Sequence, residues 1–295
     1  MKKILVIGKG SFVGNSFIEY MNENYYDTYS IENISSMNGI WKTIDFGKYD
    51  AVYNVAGLAH VKAKRNMEKK YYEVNCNLPV EICKKAKSDG CPLFIHMSSM
   101  IVFGSMSKIG EKKYITKETV PKPENFYGGS KLKADNQLLE LVDENFHVAI
   151  MRPPLLYSHN ARDNFPRLIK ISRKLPIFPM LENEQSMLYV YNLVELIRLI
   201  IDNNGNGIFY PQNKEYTCTT EMVKKFSKIF GNRMYLTSFF NPILKWMSQF
   251  IPVINKAFGN LCYEKELSNY YDWGYCRFSL DESIQKTAEC IMERE

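Results

Sequence analysis

Tyr127-Gly128-Gly129-Ser130-Lys131 sets a phenol and an ammonium four residues apart, and Ser98-Ser99 closes an earlier apolar run. A spacing of four puts Tyr127 and Lys131 on one face of a helix. A phenol with an ordinary pKa of about 10 is a poor acid–base group near neutrality, but a neighbouring ammonium favours the phenolate. Such a pair suits proton transfer to or from a hydroxyl during hydride transfer, with a serine hydroxyl bonded to the same oxygen. The chain has 20 Tyr, so this spacing alone also arises by chance.

Gly8-Lys9-Gly10-Ser11-Phe12-Val13-Gly14 could bind an anion. A tight turn from strand to helix needs glycine, because a Cβ would block the approach of a pyrophosphate to backbone N–H groups. Glu32 follows 18 positions after Gly14. A carboxylate there can accept hydrogen bonds from an adenosine ribose and repels a 2′-phosphate. This favours NAD, with NADP as the alternative, and Lys9 works against that preference.

These groups need elements to position them. Apolar runs at 4–7, 28–31, 51–55, 93–97 and 147–151 read as strands, with the second ending at Glu32. Helical patterns follow Phe12 and cover 71–87, 127–145 and 191–202. Strands alternating with helices imply an α/β fold with a parallel sheet covered on both faces. Beyond Arg152 prolines cluster, which marks a smaller, partly interleaved C-terminal lobe. The expected division is 1–155, continuing in part to about 200, and 156–295. Residues 245–258 are expected to form a core or lid helix rather than a membrane contact, and 270–273 to pack as a lid. The basic run 62–70 reads as a solvated face, and His60 and His96 as packed histidines.

Composition bounds the rest. Hydrophobic residues make up 45% and charged residues 24%, ordinary globular usage that excludes disorder and fibrous repeats. The formal excess of +6 suits anionic ligands but is no nucleic-acid footprint. Seven scattered Cys without a CxxC pair argue against a disulfide scaffold or a metal site and fit a reducing, cytoplasmic location. The apolar run 4–7 is too short for a leader, and no stretch reaches the roughly 18 apolar residues of a transmembrane segment.

Taken together, the chain resembles the extended short-chain dehydrogenase/reductases, also called the NAD-dependent epimerase/dehydratase family. The matching residues, in the family's order, are Gly8–Gly14, Asp45-Phe46, Asn54-Val55-Ala56-Gly57, Asn75, Ser98-Ser99, Val102-Phe103-Gly104, Tyr127 with Lys131, and Arg152-Pro153-Pro154 with Tyr157. The resemblance implies a Rossmann-type doubly wound sheet with a substrate-binding lobe. It implies that Gly8, Gly10, Ser11, Phe12 and Gly14 hold the pyrophosphate, although Ser11 stands where the family has its middle glycine. Glu32 would hold the adenosine ribose, and Asp45 and Phe46 the adenine end. Val55, Ala56, Gly57, Asn75 and Pro154 would line the cofactor. Ser99, rather than Ser98, falls on the catalytic position, with Tyr127 as acid–base and Lys131 tuning it and binding the nicotinamide ribose.

The family's 4,6-dehydratases carry an Asp-Glu pair where this chain has Met100 and Ile101, which argues against dehydration. Further segments, among them Asn164-Phe165-Pro166-Arg167 and Gly259-Asn260-Leu261-Cys262-Tyr263, are similar to capsule and O-antigen enzymes of surface polysaccharide biosynthesis. The implied activity is reduction of a UDP-4-keto-6-deoxy-N-acetylhexosamine at C4. The alternatives are a UDP-glucose or UDP-N-acetylglucosamine 4-epimerase, and a non-catalytic NAD-binding regulatory protein. Ser99, Met100, Leu155, Asn164, Arg167 and Gln185 would face the UDP-sugar. Leu155 replaces an Asn common in epimerases, and Gln185 replaces an Arg that clamps the diphosphate, a charge that Arg162 or Arg167 could supply. A homodimer through the long helices is a family habit.

Overall fold

The computed structural model describes residues 1–59, 65–161 and 165–294, so His60, Arg162, Asn164 and part of the basic run 62–70 lie outside the described residues. The chain divides into two compact units. Residues 1–104, 120–153 and 190–211 form the first, and 105–119, 154–189 and 212–295 the second. The chain passes between the units at 104/105, 119/120, 153/154, 189/190 and 211/212.

The first unit is built on six parallel strands: β1 (Lys2–Ile7), β2 (Tyr29–Ile34), β3 (Ala51–Asn54), β4 (Leu93–Met97), β5 (His147–Met151) and β6 (Gly207–Phe209). Their order is β2-β1-β3-β4-β5-β6. Every residue of β3 and β4 is buried, which explains why both read as unbroken apolar runs. The helices α1 (Phe12–Asn24), α2 (Glu68–Tyr72), α3 (Leu78–Ser88), α4 (Phe126–Leu139) and α5 (Val190–Asp202) belong to the same Rossmann-type unit. The chain turns one way from β1 to β2 and the other way to β3. That reversal opens a crevice at the carboxyl ends of β1 and β3, where such sheets bind ligands. The parallel register sets Ile7 opposite Ile34 and Asn54, Asn54 opposite His96, and Met97 opposite Met151. Gly8, Val55, Ser98 and Arg152 therefore share one edge.

Three element boundaries differ from the sequence reading. β2 continues to Ile34, so Glu32 stands inside the strand opposite Leu5 rather than at its end. α4 stops at Leu139, because Asp143 Oδ1 accepts from the amides of Asn145 and Phe146, at 2.9 Å each, and folds that stretch as a turn. The expected helix over 71–87 is divided by a π-helical turn, Glu73–Asn77, which carries Asn75. Such turns often mark functional positions.

The second unit contains three short parallel ladders: Leu155–Tyr157 with Met187–Tyr189, Ile177–Pro179 with Tyr235–Thr237, and Tyr114–Ile115 with Cys262–Tyr263. Phe178, Leu181, Val223 and Phe258 form one of its cores. The segment 245–258, expected as one core or lid helix, belongs to two short helices, Asn241–Met247 and Pro252–Phe258, whose inner residues Ile254, Ala257 and Phe258 pack in that core. Trp246 is 63% and Phe250 68% exposed, because only one side of this segment has a core to meet. All seven cysteines are free thiols. No described helix is long and apolar enough to cross a membrane, and no His/Cys/Asp/Glu group among the described residues could hold a metal ion.

α1 and α5 are joined through a buried carboxylate. Glu195 Oε1 accepts from Tyr20 Oη at 2.9 Å and Tyr25 Oη at 2.7 Å, and its Oε2 accepts from Arg198 Nε at 2.8 Å. Removing the carboxylate takes away an acceptor shared by two hydroxyls and Arg198, whose Nη1 keeps Asp202 Oδ2 at 2.7 Å. Glu195→Ala should lower stability in urea unfolding by about 1–3 kcal/mol, the cost of removing a buried hydrogen-bond acceptor.

Candidate active site

The crevice begins at the glycine turn. Gly8 has φ +133°, and a Cβ built on it would lie 2.7 Å from the Ala56 amide nitrogen. The backbone is folded tightly: the N–H groups of Gly8 and Lys9 donate to Ile34 O at 3.0 and 3.1 Å, and Ser11 N–H donates to Gly8 O at 3.1 Å. Ser11, the departure from the family's glycine pattern, is the N-cap of α1, and its Oγ accepts from Gly14 N–H at 3.4 Å. Gly10, at φ +83°, supplies the left-handed residue one position earlier. Gly14 leaves only 2.9 Å between its built Cβ and Val55 Cγ2. Phe12 opens α1, whose first turn has no acidic residue. A cradle that one Cβ would fill, at the N-terminus of a 13-residue helix, fits a dinucleotide pyrophosphate.

A continuous set of contacts leads from this turn toward the phenol. Asn54 Oδ1 accepts from Ala56 N–H at 3.3 Å. Asn75 holds Leu58 by both backbone groups, at 2.7 and 3.0 Å, and its Nδ2 reaches Ser130 Oγ at 3.4 Å. Between them lies Gly57. Its built Cβ would sit 3.3 Å from both Asn75 Oδ1 and Lys131 Nζ, so the ammonium approaches the backbone where only glycine leaves ordinary room. Lys131 Nζ donates to Met97 O at 2.6 Å, just before Ser98-Ser99. Tyr127 stands one turn ahead of Lys131 in α4, which Asn125 caps by accepting from Gly128 N–H at 2.8 Å. The Tyr127 ring meets Tyr71 edge to face, with centroids 6.0 Å apart.

The two serines have different partners. Ser98 Oγ donates to Asp135 Oδ2 at 2.9 Å, inside the protein. Ser99, half-buried, caps the 3-10 turn Met100–Phe103 by accepting from Ile101 N–H at 3.3 Å. Its hydroxyl hydrogen can therefore serve another acceptor. Met100 is buried in that turn and donates its N–H to Pro153 O at 2.9 Å. Pro154 is also buried.

Sequence reasoning missed Asp135 as the hub beneath the site. Arg152 Nε bonds its Oδ2 at 2.9 Å, and the guanidinium lies 5.5 Å from the Phe103 ring centroid and 5.9 Å from that of Tyr210. Burial raises the Asp135 carboxyl, against the pull of Arg152, Ser98 and Lys131. The available signal was the i, i+4 step from Lys131 to Asp135 on α4. His96 is a packed histidine. It bonds Asn54 Nδ2 at 3.2 Å through Nδ1, and burial, with help from the Lys131 charge, holds it well below the usual imidazole range.

Within β2, Glu32 is exposed and accepts a hydrogen bond from Tyr49 Oη. Burial and that carboxylate push the Tyr49 phenol up to about 12. Asp45 is exposed and accepts from Gly47 N–H at 3.0 Å. Phe46 offers a ligand neither ring nor amide: the side chain is fully buried, with Lys85 Nζ 5.0 Å from its centroid, and its N–H donates to Asp89 at 2.9 Å.

The expected substrate residues Leu155, Arg167 and Gln185 belong to the second unit. Leu155 is half-buried and Arg167 exposed. Gln185 is buried, and its Nε2 donates to Ala257 O at 3.2 Å and Gly259 O at 3.0 Å. That amide braces the loop around Gly259.

Lys131 brings the chemistry and the energetics together. Burial lowers its ammonium from 10.5 to about 8, although the Asp135 carboxylate works to raise it. A lysine with a depressed folded-state pKa binds fewer protons folded than unfolded, so stability rises with pH between about 8 and 10.5. Lys131→Met removes this group. The stability of wild type relative to the variant, read from urea midpoints, should increase across that window; a flat or falling difference contradicts the buried ammonium.

Residues 4–210 match the NAD dependent epimerase/dehydratase family. UDP-glucose 4-epimerase from Vibrio cholerae is 28% identical over 246 residues, covering 76% of this chain and 74% of that protein. Among solved structures, a dTDP-4-dehydrorhamnose reductase from Clostridium acetobutylicum is similar with a TM-score of 0.75 at 15% identity, over 98% of this chain and 99% of that one. UDP-glucuronic acid 4-epimerase from Bacillus cereus, in complex with NAD, gives 0.73 at 17% identity, over 99% and 96%. At these identities the two structures show the shared fold. The ordered match over most of the chain, on a doubly wound sheet with the glycine turn at its switch point, means that this protein belongs to the NAD dependent epimerase/dehydratase family.

Proposed function

We propose that this chain is a nucleotide-sugar oxidoreductase that reduces the C4 keto group of a UDP-4-keto-6-deoxy-N-acetylhexosamine. The observation that carries the reading is the Lys131 ammonium, buried against Gly57 and Met97 O one helical turn from Tyr127, with Ser99 following on the same segment. Gly8, Gly10, Ser11, Phe12 and Gly14 would hold the pyrophosphate of NAD and Glu32 its adenosine ribose, while Val55, Ala56, Gly57, Asn75 and Pro154 would line it and Lys131 would bind its nicotinamide ribose. The bound dinucleotide supplies the hydride.

Tyr127 gives its proton to the C4 oxygen as negative charge develops there, and Ser99 donates a hydrogen bond to the same oxygen. Lys131 stabilises the phenolate that remains. The exposed Glu32 carboxylate supports NAD over NADP, because it repels a 2′-phosphate. Two apolar side chains support reduction over dehydration: Met100 and Ile101 offer no carboxylate to move protons at C5 and C6. Leu155, where many family epimerases use Asn, supports reduction over epimerisation.

The second reading is a UDP-hexose 4-epimerase using the same three residues, favoured by the Vibrio cholerae relative. One assay separates them. The protein is incubated with a UDP-4-keto-6-deoxy-N-acetyl sugar and NADH or NADPH, and in parallel with UDP-glucose or UDP-N-acetylglucosamine alone. Stoichiometric dinucleotide oxidation in the first mixture alone is the expected result; interconversion of 4-epimers in the second, without net oxidation, establishes the epimerase instead. Tyr127→Phe should cut turnover by about 10²–10⁴-fold while dinucleotide binding, followed by fluorescence, stays near wild type.

A further inference from the structure

Residues 222–263 contain no Asp or Glu and six basic residues: Lys224, Lys225, Lys228, Arg233, Lys245 and Lys256. The other 253 residues carry 32 basic and 32 acidic side chains, so the whole excess of +6 resides in this stretch. Among the described residues only Lys225 of the six has a carboxylate partner, Asp281.

The same stretch holds two short helices, Asn241–Met247 and Pro252–Phe258. Their inner side belongs to the second unit: Leu244, Ile254, Ala257 and Phe258 pack with Phe178, Leu181 and Val223. A helix lying between core and water carries charge on its outer side. Here the outer side is hydrocarbon as well: Phe239 is 76% exposed, Ile243 54%, Trp246 63%, Phe250 68% and Val253 52%. Edge contacts between Phe239 and Phe240, at 5.3 Å, and between Trp246 and Phe250, at 5.5 Å, order these rings at the surface. Asn255 Nδ2 ties the second helix to Ser248 O at 2.8 Å, and Asn241 Nδ2 ties the first to Met180 O at 2.8 Å.

We propose that this helical pair is a peripheral membrane anchor that binds an anionic bilayer surface. Three features select lipid over a protein partner. The exposed apolar side chains come from both helices, from the turn joining them and from Phe239 ahead of the first. Aromatic rings beside lysines, with no carboxylate anywhere in 42 residues, match a continuous sheet of phosphates over hydrocarbon. Each helix has seven residues, about 10 Å at 1.5 Å per residue, which suits lying in the interface and not crossing it. Phe239, Ile243, Trp246, Phe250 and Val253 enter the boundary between headgroups and acyl chains, while Arg233, Lys245 and Lys256 meet the phosphates.

The test is cosedimentation of the full chain with vesicles of equimolar phosphatidylglycerol and phosphatidylcholine, and with phosphatidylcholine alone. Wild type should sediment with the anionic vesicles and much less with the neutral ones. Trp246→Ser/Phe250→Ser should weaken anionic-vesicle binding by about tenfold or more, with turnover and thermal unfolding unchanged. Lys245→Glu/Lys256→Glu, which leaves the rings in place, should also release the protein. Failure of wild type to bind anionic vesicles overturns the proposal. So does undiminished binding by both variants, or a dimer in sedimentation velocity that dissociates on Trp246→Ser/Phe250→Ser while no vesicle is bound.

Discussion

Burying charge beneath α4 is the constraint on which the first unit depends. Lys131, Asp135 and Arg152 are each no more than 4% exposed, and such charges are tolerated only when paired and hydrogen-bonded. Their partners are fixed by the sheet. Met97 O, on the last residue of β4, accepts from the ammonium, while Ser98 and Arg152, just past the ends of β4 and β5, donate to the carboxylate. The docking of α4 is thus specified by directional bonds as well as by hydrocarbon. Because Tyr127 sits on the first turn of the same helix, the constraint that holds α4 also aims the phenol.

The other half of the crevice is governed by close approach of backbones. β1 and β3 neighbour each other at the switch point, and the loops leaving them nearly touch at Gly8 and Ala56. A Cβ at Gly8 or Gly14 would meet the wall of Val55 and Ala56, whereas one at Gly10 would meet nothing within 4 Å. A π-helical turn between α2 and α3 then swings Asn75 onto the backbone of Leu58, which closes the wall beside Gly57. The site therefore consists of a backbone cradle and a side-chain cluster, built on different strands and joined through Gly57.

The second unit has its own logic. Its ladders are two or three residues long, so side-chain bonds to backbone carry much of the organisation, as Gln185 and Asn183 do around Gly259. Its charge is distributed unevenly along the sequence. The concentration of basic residues where the outer surface is apolar sets this region apart from the balanced remainder of the chain.

Much of this could be read from the sequence, because it rests on local pattern. The apolar runs of β1, β3, β4 and β5, the strand-to-helix glycine turn and the four-residue step from Tyr127 to Lys131 all lie within short windows. Helix and strand periodicities act over those same windows. What the tertiary structure decided depends on residues distant in sequence. Asp89 takes the amide of Phe46, Lys256 to Gly259 occupy the side chain of Gln185, and Asp135 draws Ser98 inward, leaving Ser99 to the surface. The outward side of 239–253 was equally hidden, since an apolar run reads alike whether a core covers it or not. Only the location of that core, on one side of the helices, left Trp246 and Phe250 exposed.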